Sequence, residues 1–466
     1  MELFVKPFDL FEVNGQWFLL KTKSLMHKMV LQEDVAFLKE IQGKPSIAAS
    51  PREQELLKYY RLTDPAPWNE EEEQTRLSQV FHSHATKKRL AVMELFVAQN
   101  CNMGCIYCYG SDGSYHQKGL MTADTARDAI KWFHSCCEKP KEAAIVFFGG
   151  EPMMNFPVIR ESIEYAEKLF GEGQLSYGMA TNMTLMTGTQ LDFFASLPKM
   201  NLLVSIDGPK EIQNRQRPLK DGRDSYEVCA ERIRAALARG IPCVGRATVY
   251  ADADRDAVVH EMKRLGLSAW QLTAVSGCAG DGIRRDDAQK LYRKWMEAFP
   301  SQIIRFVDAI KARDKKVADA IMACDDLKTL IMEGVSGAMI PRDIVGCSAS
   351  RSHIAVAANG DLYPCHRFVG MEAFCCGKVG EKQGGWSEFM RGRLEMCGDC
   401  RQCMLRFACS GACYYQSYTD GPEKSIYSMP EHFCDYTRMR AKLKIYVCHM
   451  LDLEDKQWYF TRKSLR

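Results

Sequence analysis

Three cysteines lie close together in the segment Cys101-Asn-Met-Gly-Cys105-Ile-Tyr-Cys108. Soft thiolate ligands select iron–sulfur clusters, zinc or copper(I). Three thiolates can hold three irons of a four-iron cube and leave the fourth iron open to a small ligand. A structural zinc ion needs four protein ligands, so these three cysteines do not close a zinc knuckle. The spacing therefore favours an iron–sulfur cluster over zinc, or over three core cysteines that are neighbours by coincidence.

A regular fold must position this segment, and strand and helix patterns alternate around it. The predicted strands are Val92–Ala98, Ala143–Phe148, Tyr177–Thr181, Leu202–Ile206, Cys243–Val249 and Trp270–Val275. The predicted helices between them include Ala123–Cys136, Val158–Phe170, Tyr226–Ala238 and Arg255–Leu265. Repeated strand–helix units predict an α/β fold with a parallel sheet. Six strands without a seventh or eighth favour a partial (β/α)6 barrel, in which reactive residues lie in the loops after the strands.

The Cys-x-x-x-Cys-x-x-Cys motif after the first strand resembles the motif of the radical S-adenosylmethionine (SAM) family. The resemblance implies that Cys101, Cys105 and Cys108 bind a [4Fe–4S] cluster as the catalytic centre. It also implies that SAM chelates the open iron through its amino and carboxylate groups. An electron from the cluster then breaks a sulfonium carbon–sulfur bond and releases the 5′-deoxyadenosyl radical, so the cofactor supplies the difficult chemistry.

Further residues at strand ends resemble the family's SAM pocket. The resemblance places Tyr107 near the adenine, and it implies that the GGEP-like segment receives the ammonium group. That segment is Gly149-Gly150-Glu151-Pro152. The expected ribose and carboxylate contacts are Thr181, Asn182, Ser205, Asp207 and, for the methionine carboxylate, Arg217. Met183 stands where the family usually has the glycine of Thr-Asn-Gly.

A second group of cysteines near the C-terminus resembles the seven-cysteine SPASM pattern. The resemblance implies two auxiliary [4Fe–4S] clusters, which makes three clusters in all. The ligands expected for auxiliary cluster II are Cys400, Cys403, Cys409 and Cys434. The ligands expected for auxiliary cluster I are Cys347, Cys365 and Cys413. Zinc remains the alternative for the Cys-x-x-Cys pair, but the first cysteine motif favours iron.

Auxiliary cluster I has only three assigned ligands, and the sequence leaves two interpretations open. One of four further cysteines completes the cluster, namely Cys324, Cys375, Cys376 or Cys397. Alternatively the site is open and a substrate thiolate binds iron there, which is the interpretation that we prefer. The other cysteines (Cys136, Cys137, Cys229, Cys243, Cys278 and Cys448) are interpreted as small buried hydrophobic residues.

The N-terminal region carries a strong hairpin signal, because Asn14-Gly15 separates the apolar runs Phe8–Val13 and Gln16–Lys21. Helical patterns follow at Glu33–Ile41 and Arg52–Tyr60. This order resembles the winged-helix-like recognition element of peptide maturases. The resemblance implies a module that binds a leader peptide as an added strand. The alternative is a plain accessory subdomain.

The whole layout resembles the thioether-forming maturases of ribosomal peptides, which make ranthipeptides or sactipeptides. The expected partners are a cysteine-containing precursor peptide with a leader and a reductant such as flavodoxin or ferredoxin. Two alternatives share the chemistry: a formylglycine maturase of the anaerobic sulfatase type and a carbon–carbon crosslinking SPASM maturase. A non-catalytic zinc or iron–sulfur scaffold is the alternative from another class.

The resemblance divides the chain into five regions. They are a leader-binding module at 1–88, a radical SAM partial barrel at 89–280, a helical bridge at 281–345, a SPASM domain at 346–440 and a C-terminal tail at 441–466.

The composition of the chain limits its expected partners and cellular location. The 466 residues have a net charge of +3, so no excess of basic residues points to nucleic acid or an anionic membrane. We find no signal peptide and no apolar run as long as a membrane span. A cytoplasmic location is expected, and the reducing cytosol favours metal ligation over disulfides for the 20 cysteines.

Overall fold

The computed structural model describes residues 2–64, 69, 71–72, 75–76, 79, 90–250, 253–275, 282–322, 325–337, 347–381, 389, 396–409 and 411–460. Cys278 and Cys324 lie outside these residues. The chain forms two compact units, each assembled from separated segments. The first unit contains Met1–His82, Gln289–Gly346 and Gly392–Arg466. The second unit contains Ser83–Ala288 and Cys347–Arg391. The five predicted domain boundaries stay a prediction.

Two small antiparallel sheets form the N-terminal part of the first unit. Their strands are β1 (Glu2–Val5), β2 (Phe8–Val13), β3 (Gln16–Lys21), β4 (His27–Val30), β5 (Ser46–Ala48) and β6 (Thr63–Asp64). The sheet orders are β5-β1-β6 and β2-β3-β4. The predicted hairpin is confirmed: Asn14 and Gly15 have φ of 51° and 73°, as a two-residue turn of the I′ type requires.

Strand β3 is buried on both faces, and the alternation of its side chains assigns them to two cores. Leu19 belongs to one core with Leu38 and Leu57, which lie on helices α1 (Val35–Ile41) and α2 (Pro51–Tyr59). Its neighbours Phe18 and Leu20 point the other way, into a second core of the same unit. The division follows from strand geometry, because the side chains of successive residues point to opposite faces of the sheet.

A central parallel sheet forms the second unit. Its strands are β7 (Val92–Gln99), β8 (Gly119–Leu120), β9 (Ala144–Gly149), β10 (Ser176–Thr181), β11 (Met200–Ser205), β12 (Cys243–Val249) and β13 (Ala269–Ala274). The order is β13-β12-β11-β10-β9-β7, all parallel, and only β8 pairs antiparallel with β7. This order confirms the predicted α/β fold and its six parallel strands.

Helices cover one side of these strands and bury their apolar faces there. They are α3 (Ala123–Cys136), α4 (Phe156–Phe170), α5 (Gly188–Ala195), α6 (Lys210–Gln216), α7 (Tyr226–Ala238) and α8 (Arg255–Arg264). Helix α3, for example, begins at the cap residue Thr122, whose side chain accepts the Thr125 N–H. It buries Ala129, Ile130 and Phe133, which follow helical spacing.

The sheet continues beyond the six predicted strands. β14 (His353–Val356) pairs parallel with β7, and β15 (Leu362–Tyr363) pairs antiparallel with β14. The sequence patterns predict six parallel strands and no seventh. β14 has only four residues, and its pairing partner Val92–Leu95 lies more than 250 residues earlier. Such a pairing leaves no local signal in the sequence.

The remaining elements of the described chain are helices. They are α9 (Gly282–Lys311), α10 (Lys315–Met322), α11 (Asp325–Val335), α12 (Gly398–Gln402), α13 (Tyr414–Asp420), α14 (Glu431–Met450) and α15 (Leu453–Tyr459). Within the first unit, Phe18 and Leu20 of β3 pack in one core with Phe306, Leu330 and Tyr446. Among the described residues, no helix combines the length and the apolar character that crossing a membrane requires.

Two histidines form a polar contact inside the first unit. His27 Nδ1 of β4 lies 2.9 Å from His449 Nε2 of α14, and His27 Nε2 lies 3.3 Å from the Gly337 carbonyl oxygen. If His27 Nε2–H donates to that carbonyl, His27 Nδ1 must accept from His449 Nε2–H, so the His27 ring is neutral. Burial, followed by the charge of His27, lowers the pKa of His449 to about 4. Burial also lowers the pKa of His27.

This pair predicts a stability that falls in acid. A histidine whose folded pKa is depressed contributes stability above its unfolded pKa of about 6.5, and that contribution is lost as the pH falls toward 4. We expect His449→Gln to flatten the fall in thermal stability between pH 7.5 and pH 5 by roughly 1 kcal/mol, a figure reduced for partial exposure. The exposed His260 supplies the control variant, His260→Gln. Equal pH dependence in His449→Gln and the unmodified protein would contradict this role.

Candidate active site

A cavity of the second unit lies at the carboxyl ends of the parallel strands. Residues of alternate positions point into it from four neighbouring strands: Ala180, Leu203, Ser205, Arg246, Thr248 and Thr273. The intervening residues, such as Val204 and Ala247, are fully buried on the opposite face. Because strands place successive side chains on opposite faces, one row fills the core and the other row lines the cavity.

The cysteine segment lines the same cavity. Cys101, Cys105 and Cys108 follow β7 directly, and all three contribute to the cavity wall. Backbone bonds hold the loop, because the Gly104 N–H donates to Pro218 O at 2.8 Å and the Ile106 N–H donates to Gln216 O at 3.0 Å. The structure therefore brings the three predicted ligands together on one surface.

The electrostatics of these thiols suit a cationic partner. Burial, followed by the nearby charge of Glu151, raises the pKa of Cys101 to about 12. Burial also raises the pKa of Cys105, although Arg217 opposes the shift. Cysteine binds metal as the thiolate, so a bound metal must displace these protons. Three half-buried soft donors at one wall would fit three irons of a cluster and leave the fourth iron open to the cavity.

Two glycines make room for the backbone at this wall. A Cβ added to Gly149, which has φ of +135°, would lie 2.1 Å from Ala98 O, and one added to Gly150 would lie 2.2 Å from Asn100 O. Only glycine avoids both overlaps and the positive φ. The Gly150 N–H donates to Ala98 O at 2.8 Å, so β9 and the start of the cysteine loop stay in direct contact.

Glu151 faces away from the cavity and braces the loop after β10. Its carboxylate accepts hydrogen bonds from Thr181 Oγ1 at 2.8 Å, from the Asn182 N–H at 2.7 Å and from the Met153 N–H at 3.1 Å. Burial raises the pKa of Glu151, and the two N–H donors oppose that shift. Glu151 is 1% exposed, so its charge acts on the strand ends rather than on open solvent.

The loop after β10 explains the departure at Met183. Met183 has φ of 65°, the left-handed region that favours glycine. The Met183 N–H donates to Thr181 Oγ1 at 3.0 Å, and this bond helps the residue to keep that conformation. Asn182 Nδ2 donates to Asn102 Oδ1 at 3.0 Å, so this loop also contacts the cysteine segment.

Tyr107, Asp207 and Arg217 form one hydrogen-bonded network. The Tyr107 hydroxyl donates to Asp207 Oδ2 at 2.6 Å and accepts from Arg217 Nη1 at 2.5 Å. Burial alone would lower the pKa of Arg217, but the charges of Cys105, Tyr107 and Asp207 hold it above its ordinary value. Arg217 Nε is buried and has no hydrogen-bond partner among the described residues. This donor is available to an anion, which fits the predicted contact with the SAM carboxylate.

The predicted SAM residues divide into two sets. Those that line the cavity are Cys101, Cys105, Cys108, Tyr107, Gly149, Gly150, Thr181, Asn182, Ser205 and Arg217. Glu151 and Asp207 are buried behind the wall and hydrogen-bond to Thr181 and Tyr107, which line it, and Pro152 is buried next to Glu151. The role of each residue toward SAM stays a prediction.

The predicted auxiliary ligands belong to different units. Cys347 and Cys365 lie in the second unit, and the first unit contains Cys400, Cys403, Cys409, Cys413 and Cys434. Burial raises the pKa of Cys434 to about 11, Arg438 opposes the shift, and the charges of Cys403, Cys409 and Cys397 add to it. These thiols therefore lie near one another, and Cys397 lies among them. Both auxiliary clusters stay predictions.

Sequence reasoning missed two arginines in the cavity wall, Arg246 and Arg367. An arginine at an inward position of a predicted strand is a signal that could have identified Arg246. Arg367 had no such signal, because it belongs to the short 3-10 helix His366–Phe368 after β15.

A buried glutamate fixes that 3-10 helix to the first strand of the sheet. Glu94 Oε1 lies 3.0 Å from His353 Nε2 and 2.7 Å from His366 Nδ1, and Glu94 Oε2 accepts the His366 N–H at 2.8 Å. Burial would raise the pKa of Glu94, but the two histidines hold it well below its ordinary value. The three side chains offer a possible set of metal ligands. The distances, however, are those of hydrogen bonds, which stabilise the buried carboxylate.

Comparison with known proteins identifies the domain that contains this cavity. Residues 95–265 match the sequence model of the Radical SAM superfamily. The chain therefore contains a radical SAM domain, and such a domain implies a [4Fe–4S] cluster and SAM.

Curated relatives are similar over parts of their length. The radical SAM cyclopropyl synthase TigE of Paramaledivibacter caminithermalis is 27% identical over 34% of this chain and 34% of its own. An uncharacterized protein of Methanocaldococcus jannaschii is 32% identical over 28% of this chain and 43% of its own. The chain thus spans less than half the length of these relatives. The cysteine-type anaerobic sulfatase-maturating enzyme of Clostridium novyi is 22% identical over 63% of this chain and 78% of its own.

Solved structures share the fold. Native anSMEcpe with bound AdoMet and the Kp18Cys peptide has a TM-score of 0.56 and 16% identity, and the match covers 76% of this chain and 96% of that one. Streptococcus suis SuiB bound to precursor peptide SuiA has a TM-score of 0.50 and 13% identity over 93% of this chain and 100% of that one.

The three cysteines give a direct test of the catalytic centre. We expect Cys101→Ala, Cys105→Ala and Cys108→Ala together to abolish the formation of 5′-deoxyadenosine and to remove about a third of the iron, since one of three expected clusters is lost. Cys136→Ala, on the surface of α3, is the control and should change neither quantity. Iron analysis and chromatography of the nucleoside are the measurements. SAM cleavage that survives the triple substitution would refute the assignment.

The hydrogen bonds of Glu151 to the loop after β10 give a second test of the site. In Glu151→Gln an amide N–H2 replaces one carboxylate oxygen, so a donor faces the N–H groups of the strand ends. We expect a loss of about 1–3 kcal/mol in unfolding free energy and weaker binding of SAM. Glu164→Gln, on the exposed side of α4, is the matched control. Denaturant titration and equilibrium binding of SAM are the measurements, and unchanged values for Glu151→Gln would show that the brace is dispensable.

Proposed function

We propose that this radical SAM protein is a peptide maturase that installs cysteine thioether crosslinks in a ribosomally made precursor peptide. The observation that carries the radical chemistry is the cavity wall shared by Cys101, Cys105, Cys108, the Gly149–Gly150 backbone and Arg217. The similarity to two folds solved with bound peptide supports a peptide as the substrate.

The proposed reaction balances as a two-electron oxidation of the peptide. When bound, the cluster and SAM supply the adenosyl radical, which takes one hydrogen atom from a carbon of the acceptor residue. A substrate cysteine would lose its thiol proton and form the new carbon–sulfur bond. Cys400, Cys403, Cys409 and Cys434 would hold a cluster that could accept the surplus electron. The peptide therefore loses two hydrogens, and its sulfur is retained.

The N-terminal sheet offers an edge for a leader peptide. Strand β4 pairs with β3 on one side, and no strand among the described residues pairs with its other side. Apolar side chains on and beside β4 are exposed: Met26, Met29, Leu31 and Tyr59. An unpaired edge with exposed apolar residues suits the addition of a peptide strand. We therefore propose β4 as the leader-binding edge.

A formylglycine maturase is the second candidate. The alignment with the Clostridium novyi sulfatase-maturating enzyme, which covers 78% of that protein, favours this candidate. The two functions differ in the fate of sulfur. A thioether retains the sulfur, whereas oxidation of a cysteine to formylglycine replaces it with a carbonyl group.

Mass spectrometry of the product separates the two candidates. We expect a cysteine-containing precursor peptide, incubated anaerobically with reconstituted protein, SAM and a reductant, to lose two hydrogens per crosslink. The modified cysteine should no longer react with an alkylating reagent, and fragmentation should locate the bond.

Two controls accompany this measurement. A peptide with serine in place of cysteine should not gain a thioether, and the triple cysteine variant should leave the peptide unmodified. Loss of sulfur with gain of a carbonyl would instead establish the formylglycine reaction. A peptide that remains unchanged while SAM is cleaved would argue against both candidates for that peptide.

A further inference from the structure

A nearly buried lysine in the N-terminal part of the first unit has no partner for its charge. Lys21 is the last residue of β3 and is 7% exposed. Among the described residues, no hydrogen bond or ion pair involves its ammonium group. An ammonium group that loses water without gaining an acceptor destabilises the folded state. Stability therefore does not explain why a lysine stands at this place in the sheet.

Other cations surround Lys21. Burial, followed by the positive charges of Lys6, Arg61 and Lys28, lowers the pKa of Lys21. Within the described part of the chain, none of these four residues belongs to an ion pair. Lys6, Lys21, Lys28 and Arg61 together form the basic cluster, whose positive charge has no counter-ion there.

Strand geometry places two members of the basic cluster on one face of the sheet. Lys28 of β4 lies opposite Leu19 of β3, and Lys21 follows Leu19 by two positions. Cross-strand partners share a face of the sheet, and so do residues two positions apart in one strand. Helix α2 covers this face, since its Leu57 packs in one core with Leu19. Arg61 follows shortly after the end of that helix.

The end of α2 accounts for part of this charge. The last carbonyl groups of a helix together carry roughly half a negative charge. The Lys28 ammonium donates to Tyr59 O at 3.0 Å and lies 3.2 Å from the centre of the Tyr59 ring. Among the described residues, Lys21 makes no such contact. Since half a negative charge cannot balance four cations, the basic cluster keeps a positive surface.

The basic cluster borders the proposed leader-binding edge. The Lys21 N–H donates to Met26 O at 2.9 Å, and Lys28 belongs to β4 itself. Met26 and Tyr59, which contact these two lysines, are 44% and 53% exposed. A peptide strand added to β4 would therefore lie beside exposed apolar side chains and beside cations that have no counter-ion.

We propose that the basic cluster binds a side-chain carboxylate, an aspartate or glutamate of the leader peptide that pairs with β4. This inference rests on the proposed peptide maturase function and names the chemistry by which the leader is recognised. A carboxylate would supply the acceptor that Lys21 lacks, through a charge-assisted hydrogen bond. Apolar contacts at the edge suit many peptides, whereas a charge selects among them.

The phosphate backbone of a nucleic acid is another anion that four cations could bind. The edge of β4 favours a peptide, because no strand among the described residues pairs with it and because its neighbours are exposed apolar side chains. The net charge of +3 also shows no general excess of basic residues in the chain. The nucleic acid is therefore an alternative for the experiment to exclude.

The probe is a pair of synthetic libraries of short peptides with blocked termini. The peptides alternate apolar and neutral polar residues, a pattern that favours strands. One library contains a single glutamate at varied positions, and the other contains glutamine there. Both are passed over immobilised, full-length reconstituted protein, and retained peptides are identified by mass spectrometry. We expect glutamate peptides to be retained about tenfold better than their glutamine partners.

Variants separate recognition from folding. Lys21→Met keeps the apolar stem and removes the charge, so we expect it to lose the preference for glutamate. The same variant should unfold at a higher temperature than the unmodified protein, because an unpartnered cation leaves the interior. A variant that merely misfolds would unfold at a lower temperature. Lys21→Arg should keep part of the preference. Lys44→Met is the matched control and should leave the preference unchanged, since Lys44 pairs with Glu40 at 3.2 Å.

Several results would overturn the carboxylate site. Equal retention of the two libraries, retention of neither, or a preference that survives Lys21→Met would each do so. A single-stranded DNA oligonucleotide that the unmodified protein binds and Lys21→Met does not bind would assign the basic cluster to phosphate instead. The proposed reaction fails in a different way. Glutamate peptides retained through Lys21, while no cysteine-containing peptide is ever crosslinked, would support the carboxylate site and refute thioether formation.

Discussion

The close approach of two backbone segments is the constraint on which the site depends. Gly149 and Gly150 meet Ala98 and Asn100 so closely that a Cβ at either glycine would overlap a carbonyl oxygen. The hydrogen bonds from the Gly150 N–H to Ala98 O and from the Glu151 N–H to Asn100 O lock this contact. Because the cysteine loop begins at Asn100, the contact fixes where the loop leaves the sheet. It also turns Glu151 toward the end of β10, where its carboxylate accepts three hydrogen bonds.

The second organising feature is that most of the buried charged side chains have a hydrogen-bond or ion-pair partner. Two histidines stabilise the Glu94 carboxylate, hydrogen bonds from the strand ends stabilise that of Glu151, and Tyr107 and Arg217 stabilise that of Asp207. Each pairing offsets the cost of removing an ion from water. Among the described residues of the second unit Arg246, in the cavity wall, is the exception. Folded proteins depart from such local consistency mainly at functional sites. The unbalanced charge therefore belongs with the chemistry of the cavity rather than with the stability of the sheet.

Much of the fold was predictable because its signals are local. The Asn14-Gly15 turn was predicted from its dipeptide, and both residues have the positive φ that it requires. The six parallel strands were predicted within about two residues at each end. Strand β14 and the 3-10 helix after it were not predicted. Their places depend on pairing with Val92–Leu95 and on bonds to Glu94, and a residue far away in sequence leaves no trace in the local pattern.

The amino-acid sequence by itself determined the ligand types and their spacing: three cysteines after the first strand and glycines after the second. Spacing along one strand–loop unit is a local property, so the chain encodes it directly. The tertiary structure alone decided which charges find partners. Glu151 turns behind the wall, Arg217 joins Asp207, and no acid lies beside Arg246 among the described residues that line the cavity. Partner choice depends on burial and on distance in three dimensions, and neither can be read from the order of residues.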